Sequence, residues 1–350
     1  MAADIQQRKA DHLDLCATDE VAFRGQTTLL EGVRLVHQAL PELSLDEVDT
    51  RVELLGKTLR APIVIAGMTG GHPRAAEVNQ ALAGIAERRG YAFGLGSQRA
   101  MQREPSTAWT YQVREAAPTA LVLGNIGVVQ ARQMPTEEVA ALVRRVGADA
   151  LCVHMNPAME LIQPGGDRDF RGGLDTFARL VSELGVPVVA KETGSGVSAE
   201  VAGQLFEAGV RHVDTSGAGG TSWVGVETLR STGAGRALGE LLWDWGIPTA
   251  ASVCFASRAG MVTIATGGIR DGLDLARAIA LGARCGGLAR TAFQAFTEGG
   301  VEGAEALFDE VEQALRAVML LCGARTVADL QAAPRVLRGE LRDWVGSDAG

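Results

Sequence analysis

Polar residues that could do chemistry come shortly after several short apolar runs of the chain. Lys191 and Arg99 both follow such a run. Lys191, with Asn125 and Thr221, offers a cation and hydrogen-bonding groups to a planar, partly anionic ring. Arg99, with Ser97, offers a second site for an anion. Two anion sites in one cavity would imply a phosphorylated cofactor together with a phosphorylated substrate.

Two glycine turns could hold the phosphate of the cofactor. Residues 262–265 form a short apolar run followed by Gly267 and Gly268, and residues 285–288 form a second run. Glycine has no Cβ, so its backbone N–H group can approach an anion closely. Barrels of parallel strands often bind phosphate with the turns after their seventh and eighth strands. Flavin mononucleotide (FMN) fits such a site, whereas ordinary packing turns are the alternative.

Three further features have both a chemical and a structural interpretation. Glu160 has no obvious basic neighbour in the sequence, and a carboxylate facing a diphosphate would indicate Mg²⁺. A solvent-facing loop glutamate is the alternative. His154 is either a core histidine or a donor to a substrate phosphate. Arg8 and Lys9 form an isolated basic pair, which by itself reads as a solvated tail.

The elements that must position these residues repeat along the chain. Apolar runs alternate with stretches of helical spacing, and polar residues or glycines follow each run. The predicted strands are Ile63–Gly67, Tyr91–Gly96, Ala120–Gly124, Ala150–Val153, Val186–Ala190, Val210–Val213 and the runs 262–265 and 285–288. Eight strands with crossover helices predict an α/β fold, a (β/α)₈ TIM barrel. A doubly wound open sheet is the competitor, and the strand count favours the barrel.

The regions outside the repeat are expected to complete one domain spanning residues 1–350. Residues 1–60 form an N-terminal extension, 61–300 form the barrel, and 301–350 form C-terminal helices. Thr136 and Ser198 are expected to cap helices. The C-terminal helices are predicted at about 304–321 and 327–331.

Composition excludes some classes of protein. The chain has 33 Lys and Arg against 42 Asp and Glu, a net charge of -9, which disfavours nucleic-acid binding. No apolar run approaches the roughly 20 residues of a membrane span. The five cysteines show no metal-binding spacing, so we expect buried, reduced thiols in a cytoplasmic protein.

An ordered set of motifs resembles the type 2, flavin-dependent isopentenyl-diphosphate Δ-isomerases over nearly the whole chain. The motifs are Gln7-Arg-Lys9, Arg24-Gly-Gln-Thr27, the stretch 35–43, Met68-Thr-Gly-Gly71, Gly96-Ser-Gln-Arg99, His154-Met-Asn-Pro157, Gln163-Pro164, Lys191-Glu192, Gly217-Ala-Gly-Gly-Thr-Ser-Trp223, Trp245-Gly-Ile-Pro-Thr249 and Gly267-Gly-Ile-Arg270. The last motif alone is weak, because many flavin barrels carry it. The whole ordered set is specific.

The resemblance implies interconversion of isopentenyl and dimethylallyl diphosphate with reduced FMN and Mg²⁺, and with NADPH as the flavin reductant. It implies that FMN is bound by Gly67, Met68, Thr69, Ser97, Asn125, Lys191, Thr221, Gly267, Gly268, Ile269, Arg270, Leu288 and Ala289. It implies substrate contacts from Arg8, Lys9, Ser97, Gln98, Arg99, His154 and Asn156, and Mg²⁺ binding by Glu160. Relatives are commonly tetramers or octamers, so a homo-oligomer is expected.

One position departs from the family pattern. Met159 stands where the family has a glutamine that contacts the substrate near its alkene. Methionine has no exchangeable proton, so either the flavin carries the proton chemistry, or Gln163 replaces the amide, or the reaction has changed. A derived FMN enzyme acting on another prenyl or phosphorylated substrate is therefore the main alternative. A 2-hydroxy-acid oxidase would need a catalytic histidine that His212 cannot supply, and a non-catalytic flavin-binding module is disfavoured.

Overall fold

The computed structural model describes residues 2–346, with side chains from residue 7 onward, and its centre is a closed barrel of eight parallel strands. Each strand pairs with the next one in the chain, and the eighth pairs with the first. The strands are β1 (Ile63–Ile65), β2 (Ala92–Gly94), β3 (Leu121–Gly127), β4 (Ala150–His154), β5 (Val188–Lys191), β6 (His212–Asp214), β7 (Val262–Ala265) and β8 (Cys285–Leu288). The predicted barrel is confirmed.

Strand registers bring polar side chains together at the carboxyl end of the barrel. His154 pairs with Lys191, and Lys191 pairs with Asp214. The last residues of three consecutive strands therefore lie at the same level of the barrel. The predicted third strand was too short, because β3 continues to Gly127 and Asn125 lies inside it. The apolar run alone could not show this, because a buried parallel strand accepts a polar residue where its side chain faces a cavity.

Helices surround the barrel, and most of them lie in the connections between its strands. They are α1 (Ala2–Cys16), α2 (Pro73–Arg89), α3 (Arg99–Arg103), α4 (Val128–Gln133), α5 (Thr136–Val146), α6 (Pro157–Ile162), α7 (Gly173–Glu183), α8 (Ala199–Glu207), α9 (Trp223–Arg230), α10 (Gly233–Leu241), α11 (Thr249–Arg258), α12 (Gly272–Ala280), α13 (Arg290–Leu321), α14 (Val327–Ala332) and α15 (Glu340–Val345). Short 3-10 helices lie at Leu30–Gly32, Leu45–Glu47 and Pro105–Tyr111.

Of the two predicted helix caps, one is confirmed and one is wrong. Ser198 caps α8 as expected, and its side chain accepts from the Val201 N–H group at 3.2 Å. Thr136 was expected to cap α5, but it is the first helical residue and its hydroxyl donates to Glu183 at 2.6 Å. Pro135 precedes the helix, and its ring holds the chain extended there instead.

Two short antiparallel ribbons lie outside the barrel. Strands Val33–Leu35 and Arg335–Leu337 form one antiparallel ribbon, and Val52–Leu54 with Lys57–Leu59 forms another. The predicted helix at 304–321 is the second part of α13, which breaks at Gly300, where φ is +65°. Residues 347–350 of the predicted C-terminal region lie outside the described residues. Among residues 2–346, none of the helices has the length and apolar character needed to cross a bilayer.

Candidate active site

A cavity of about 640 Å³ opens at the carboxyl ends of the barrel strands. It brings together side chains and backbone from the ends of all eight strands, from α1 and from the segment before the barrel. Most of the site residues expected from sequence line it: Arg8, Lys9, Gly67, Met68, Ser97, Arg99, Asn125, His154, Asn156, Met159, Glu160, Gln163, Lys191, Thr221, Gly267, Gly268, Ile269, Arg270 and Ala289.

Three expected residues lie behind the wall of the cavity. Gln98 is fully buried, its amide donates to the Leu142 carbonyl, and its side-chain oxygen accepts from the Asn125 N–H group, both at 2.9 Å. Its side chain therefore holds the backbone at Asn125, and the expected substrate contact of Gln98 stays a prediction. Leu288 and Thr69 are also buried away from the opening, and the Thr69 hydroxyl has no hydrogen-bond partner among the described residues.

Backbone lies close against backbone in the glycine turns after β6 and β7. Gly267 and Gly268 have φ of +95° and +83°, a region that side chains with a Cβ rarely adopt. A Cβ on Gly268 would lie 2.9 Å from the Gly219 oxygen, and one on Gly220 would collide with the Gly268 nitrogen. Only glycine fits there, so the backbone itself forms this wall of the cavity. Such a wall suits a phosphate group.

The floor of the cavity carries a buried ion pair. Lys191 Nζ lies 2.8 Å from Asp214 Oδ2, and the two side chains are 10% and 6% exposed. Next to Lys191, His154 Nδ1 lies 2.8 Å from Asn125 Oδ1. Burial, and then the charge of Lys191, lowers the pKa of His154 to about 3, so its ring is neutral.

The neutral ring of His154 has one N–H donor and one acceptor nitrogen. With the Asn125 amide oxygen as acceptor, Nδ1–H donates and Nε2 keeps a lone pair. The expected donation from His154 to a phosphate would need the other tautomer, with the Asn125 amide turned over. In the arrangement that the structure has, His154 accepts a hydrogen bond from a ligand.

Glu160 lies among donors in the folded chain, although it has no obvious basic neighbour in the sequence. Arg99 Nη1 lies 3.4 Å from its Oε1 and 3.6 Å from Asp167 Oδ2. Asn156 donates to Glu160 at 3.2 Å, and the Asp167 N–H group donates to it at 2.7 Å. Sequence neighbours could not reveal this contact, because 61 positions separate Arg99 from Glu160. The side-chain Nε of Arg99 is buried without a partner among the described residues.

Helix α1 brings Arg8 and Lys9 to the cavity. His12, one turn further along, hydrogen-bonds Glu227 of α9 at 2.8 Å. Burial lowers the pKa of His12 to about 4 despite this contact, so a neutral ring donates to the carboxylate. Burial and the nearby charge of Arg8 lower the pKa of Lys9 to about 8. Arg8 Nε is buried without a partner among the described residues, as expected of a side chain that awaits an anion.

Positive charge dominates this cavity although the chain is acidic. Its described lining includes seven cations, which are Arg8, Lys9, Arg24, Arg99, Lys191, Arg270 and Arg290, and two carboxylates, Glu31 and Glu160. Opposite charges nearby neutralise some of the cations, yet the excess favours anionic ligands. Among the described residues no cluster of three or more His, Cys, Asp or Glu could hold a metal ion alone.

Sequence reasoning gave no role to part of the cavity wall. Residues 22–28 line it, although only their motif was noted. They are held by a hydrogen bond from the Trp243 indole to the Ala22 oxygen at 2.9 Å, while Arg24 stacks 3.6 Å over the Trp243 ring. Trp223 and Thr266 also line the cavity unpredicted. The glycine-rich motif before Trp223 was the available signal for the first of them.

Met159 lies on the cavity wall at the first turn of α6. Its sulfur lies 3.8 Å from the Asn156 amide nitrogen, a weak hydrogen bond. Gln163 is buried and its amide points to Glu160 at 3.5 Å. The two residues therefore share one wall with Glu160, and Met159 offers an apolar, polarizable surface there.

The family model of the FMN-dependent dehydrogenases matches residues 1–158 and 154–337 of the chain. Several similar proteins are named isopentenyl-diphosphate delta-isomerase. The one from Methanosarcina barkeri is 44% identical over 99% of this chain and 96% of its own length. Those from Methanosarcina acetivorans and Methanothermobacter thermautotrophicus are 46% and 43% identical over 95% and 97% of this chain, and over 92% and 96% of their own lengths.

Solved structures share the fold at low identity. A mandelate oxidase variant with a monooxide FMN adduct superposes with a TM-score of 0.66 and 17% identity, covering 93% of this chain and 95% of its own. A putative lactate oxidase of Pediococcus acidilactici gives 0.67 and 15%, covering 97% and 94%. These likenesses support the barrel and no more. The match to the family model and the identities over almost the full length place the chain in the FMN-dependent dehydrogenase family, among the isopentenyl-diphosphate delta-isomerases.

Proposed function

We propose that the protein interconverts isopentenyl and dimethylallyl diphosphate with reduced FMN and Mg²⁺ in isoprenoid biosynthesis. It is thus an intramolecular isomerase. The observation that supports this proposal is one cavity whose lining combines two kinds of anion-binding group. The glycine turns at Gly267 and Gly268 supply one, and the cations Arg8, Lys9 and Arg99 supply the other. A phosphorylated cofactor and a diphosphate substrate together would occupy both.

The residues present fit FMN. The backbone segments at Gly220, Gly267 and Gly268 pack so closely that a Cβ at any of them would collide with neighbouring protein atoms, so this wall presents backbone to a phosphate. Lys191 and Asn125, on the floor, offer a cation and an amide to the polar edge of the ring. When bound, reduced FMN supplies a negatively charged ring and exchangeable protons next to the substrate.

The remaining cofactor contacts are proposed from their positions. Gly67 and Met68 follow β1 and line the cavity, where they would contact a planar ring. A Cβ on Gly67 would collide with the Leu95 oxygen, so only glycine fits at this point. Thr69 and Leu288 would act from behind the wall. The other residues in this role are Ser97, Thr221, Ile269, Arg270 and Ala289.

The chain's own residues hold the substrate by its charged end. Arg8, Lys9 and Arg99 anchor the diphosphate, because an apolar five-carbon chain gives a protein little else to bind. His154 and Asn156 line the wall beside them as neutral polar groups. A fixed diphosphate leaves the alkene one orientation, with its protonation and deprotonation sites directed into the cavity.

The reaction adds a proton to carbon 4 of the substrate and removes one from carbon 2. The positive charge that develops at carbon 3 needs a negative or polarizable surface. Met159 offers a thioether but no proton, so the protein is not expected to move the proton through position 159. Gln163 can hold a water with its amide, yet its contact with Glu160 keeps it on the wall.

Mg²⁺ is proposed at Glu160. Its carboxylate is 5% exposed, and its neighbours Asn156 and Asp167 could add oxygen ligands. With one carboxylate facing the diphosphate end, most of the ligands of a hexacoordinate ion would come from phosphate oxygens and water. The ion would then join the substrate to α6, and Arg99 would contact the same phosphate.

Further properties are proposed from the resemblance. NADPH would reduce the flavin, and the chain would act as a single domain of 350 residues in the cytoplasm. A homo-oligomer, tetramer or octamer, is supported by exposed apolar side chains on one side of the barrel. Leu241 and Trp245 are 79% and 63% exposed there. Light scattering of the purified protein would determine its mass.

Anaerobic turnover tests the proposed function. The protein should bind FMN and, after reduction, convert isopentenyl diphosphate to dimethylallyl diphosphate only when Mg²⁺ is present. EDTA should abolish the reaction, and excess Mg²⁺ should restore it. A colourless protein that cannot be reconstituted with FMN would exclude every flavin-dependent function. Flavin binding without interconversion would exclude the isomerase.

A further inference from the structure

Lys191 and Asp214 end neighbouring strands at the same level of the barrel. They are direct partners in the register of β5 and β6, and their side chains meet at 2.8 Å. Both are almost fully buried. The position of the lysine ammonium is therefore set by the barrel itself and not by a loop.

Asp214 lies behind the cavity wall, whereas Lys191 and Thr266 lie on it. The second oxygen of Asp214 accepts a hydrogen bond from the Thr266 hydroxyl. That hydroxyl in turn accepts from the Ser216 N–H group at 3.0 Å. The carboxylate is thus held from both sides and cannot turn away from the ammonium without losing a buried hydrogen bond.

Of the other titratable groups around Lys191, two are uncharged, and the third, Glu192, interacts with Lys191 electrostatically but is hydrogen-bonded elsewhere. His154, its partner on β4, is neutral because burial lowers its pKa to about 3. The thiol of Cys152 is protonated because burial raises its pKa to about 12. The Glu192 carboxylate turns into its own loop, where it accepts from the Ser195 N–H group at 2.5 Å. Among the described residues, Asp214 is the carboxylate in contact with Lys191.

A buried cation next to a flavin ring stabilises the negative charge that reduction adds, and a carboxylate held against that cation opposes the effect. We propose that Asp214 is a positioning residue that fixes Lys191 and partly neutralises it, and so lowers the reduction potential of the bound flavin. This inference rests on the proposed binding of FMN. A ring whose negative charge is only partly compensated keeps more of its affinity for protons, which suits proton transfer without net oxidation.

The experiment is a reduction-potential measurement on FMN-reconstituted Asp214→Asn. The amide keeps the shape and a hydrogen bond but removes the charge. At the midpoint potential of the wild type, the ratio of reduced to oxidised flavin should rise at least tenfold, a shift of about 30 mV for a two-electron couple. Asp214→Glu, which keeps the charge, should stay nearer to the wild type. An unchanged or lower potential in Asp214→Asn would overturn the proposal.

A double-mutant cycle separates this effect from general disturbance of the site. The Lys191→Gln protein should have a lower flavin reduction potential than the wild type. It loses the cation beside the ring but keeps the negative charge of Asp214. Adding Asp214→Asn to Lys191→Gln should raise the potential again. This comparison still decides the question if Asp214→Asn alone does not fold or retain flavin. A double variant no higher in potential than Lys191→Gln would contradict the proposal.

The two proposals fail in different ways. A wild-type protein that binds no FMN would refute the proposed function before any potential is measured. A wild type that binds FMN and isomerises the substrate, with an Asp214→Asn potential equal to its own, would refute only the role of Asp214.

Discussion

The ring of His12 lies 2.8 Å from the Glu227 carboxylate, and this hydrogen bond ties α1 to α9 behind the cavity. Glu227 is fully buried, and its other oxygen accepts from Arg230 at 2.7 Å. Because Arg8 and Lys9 lie one turn before His12, this contact determines where their positive charges stand. Glu227, a buried carboxylate outside the substrate site, thereby positions two cations of that site.

Glu227→Ala should therefore weaken substrate binding more than it slows the reaction. We expect KM for isopentenyl diphosphate to rise about tenfold, with a smaller change in kcat, since α1 loses its attachment. Removing one partner of a buried charged pair should also cost about 3 kcal/mol of the free energy of unfolding. Steady-state kinetics and urea unfolding measure the two effects.

A matched control comes from Glu312, whose carboxylate accepts from Tyr91 and Arg89 away from the cavity. Glu312→Ala should lower the free energy of unfolding while leaving KM unchanged. Equal increases of KM in the two variants would show that Glu227 acts only through general stability.

Lys9 should make substrate capture depend on pH. Burial lowers its pKa to about 8, so the ammonium is charged below pH 8 and neutral above it. In the wild type, kcat/KM should fall by up to tenfold per pH unit above about pH 8. Lys9→Arg keeps its charge at these pH values, so the fall should move upward. This quantity reports the free enzyme, in which no diphosphate yet raises the pKa of the lysine.

The comparison of kcat/KM profiles between pH 6 and 10 has its own control. Arg24 also lines the cavity, but its side chain is exposed. A lysine at this position would therefore not have its pKa lowered by burial as Lys9 does. Arg24→Lys should therefore leave the pH at which the fall begins where it is in the wild type. Superimposable profiles for the wild type and Lys9→Arg would mean that another group causes the fall.

Glu192 should make the stability of the protein fall between weakly acidic and neutral pH. Burial raises the pKa of Glu192 from 4.5 to about 7, although N–H groups of Thr193, Gly194 and Ser195 oppose the rise. The folded state thus holds a proton that the unfolded state releases above pH 4.5. The stabilisation is complete below pH 4.5 and is lost as the pH rises to about 7, by about 3 kcal/mol.

In Glu192→Gln this contribution to the pH dependence should vanish, because the side chain no longer titrates. The amide oxygen can still accept from the loop N–H groups, so the fold should be retained. Urea unfolding of the two proteins from pH 4 to pH 8 gives the difference in free energy. A constant difference across that range would refute the titration of Glu192 in this window.

Gly268→Ala should abolish most of the FMN binding. A Cβ at this position would lie 2.5 Å from the Thr28 Cγ2 and 2.9 Å from the Gly219 oxygen. The backbone would have to shift away from the phosphate, so we expect the Kd for FMN to rise about a hundredfold, or roughly 2.7 kcal/mol. Quenching of flavin fluorescence on binding measures the Kd.

Gly185 offers a control with the same backbone strain. Its φ is +77°, close to the +83° of Gly268, but a Cβ there would meet no atom within 4 Å. Gly185→Ala should cost about 1 kcal/mol of stability, as left-handed backbone does for alanine, with no change in the Kd for FMN. Loss of FMN binding in both variants would point to global destabilisation.

Met159→Leu should leave kcat nearly unchanged, within about threefold. Leucine is similar in volume to methionine and also lacks an exchangeable proton. Met159 lies on the wall next to Asn156, and the side-chain hydrogen bond that it makes to this residue is weak, so the substitution removes little. Anaerobic turnover with reduced FMN measures kcat, and Met159→Ala, which opens a space on the wall, serves as the comparison. A tenfold loss in Met159→Leu would assign the sulfur a direct part in the reaction.

Much of the fold could be predicted from the sequence, because strands and helix ends depend on residues that are close together in the chain. The alternation of apolar runs with helical spacing predicted eight strands at nearly their observed positions, since each buried strand needs a continuous apolar run. Ser198 marked the start of α8 through its own side-chain chemistry. The continuation of β3 through Asn125 was missed, because a polar residue inside a strand is indistinguishable from one after it.

Contacts between segments that are distant in the chain could not be predicted from the sequence. Glu160 looked isolated because its partner Arg99 is remote in sequence, and Gln98 looked like a substrate ligand although its amide holds β3 from behind. The motif at 24–27 was visible, yet nothing local indicated that it would line the cavity.

The sequence by itself determined the barrel, the family and the set of residues that meet at the strand ends, because strand order and parallel direction suffice to collect them. Only the tertiary structure decided which charges neutralise one another. Lys191 was visible as a cation, but its pairing with Asp214 depends on the register of two strands 23 positions apart. The electrostatic character of a buried site is a sum over distances of a few ångströms, and only the folded chain sets those distances.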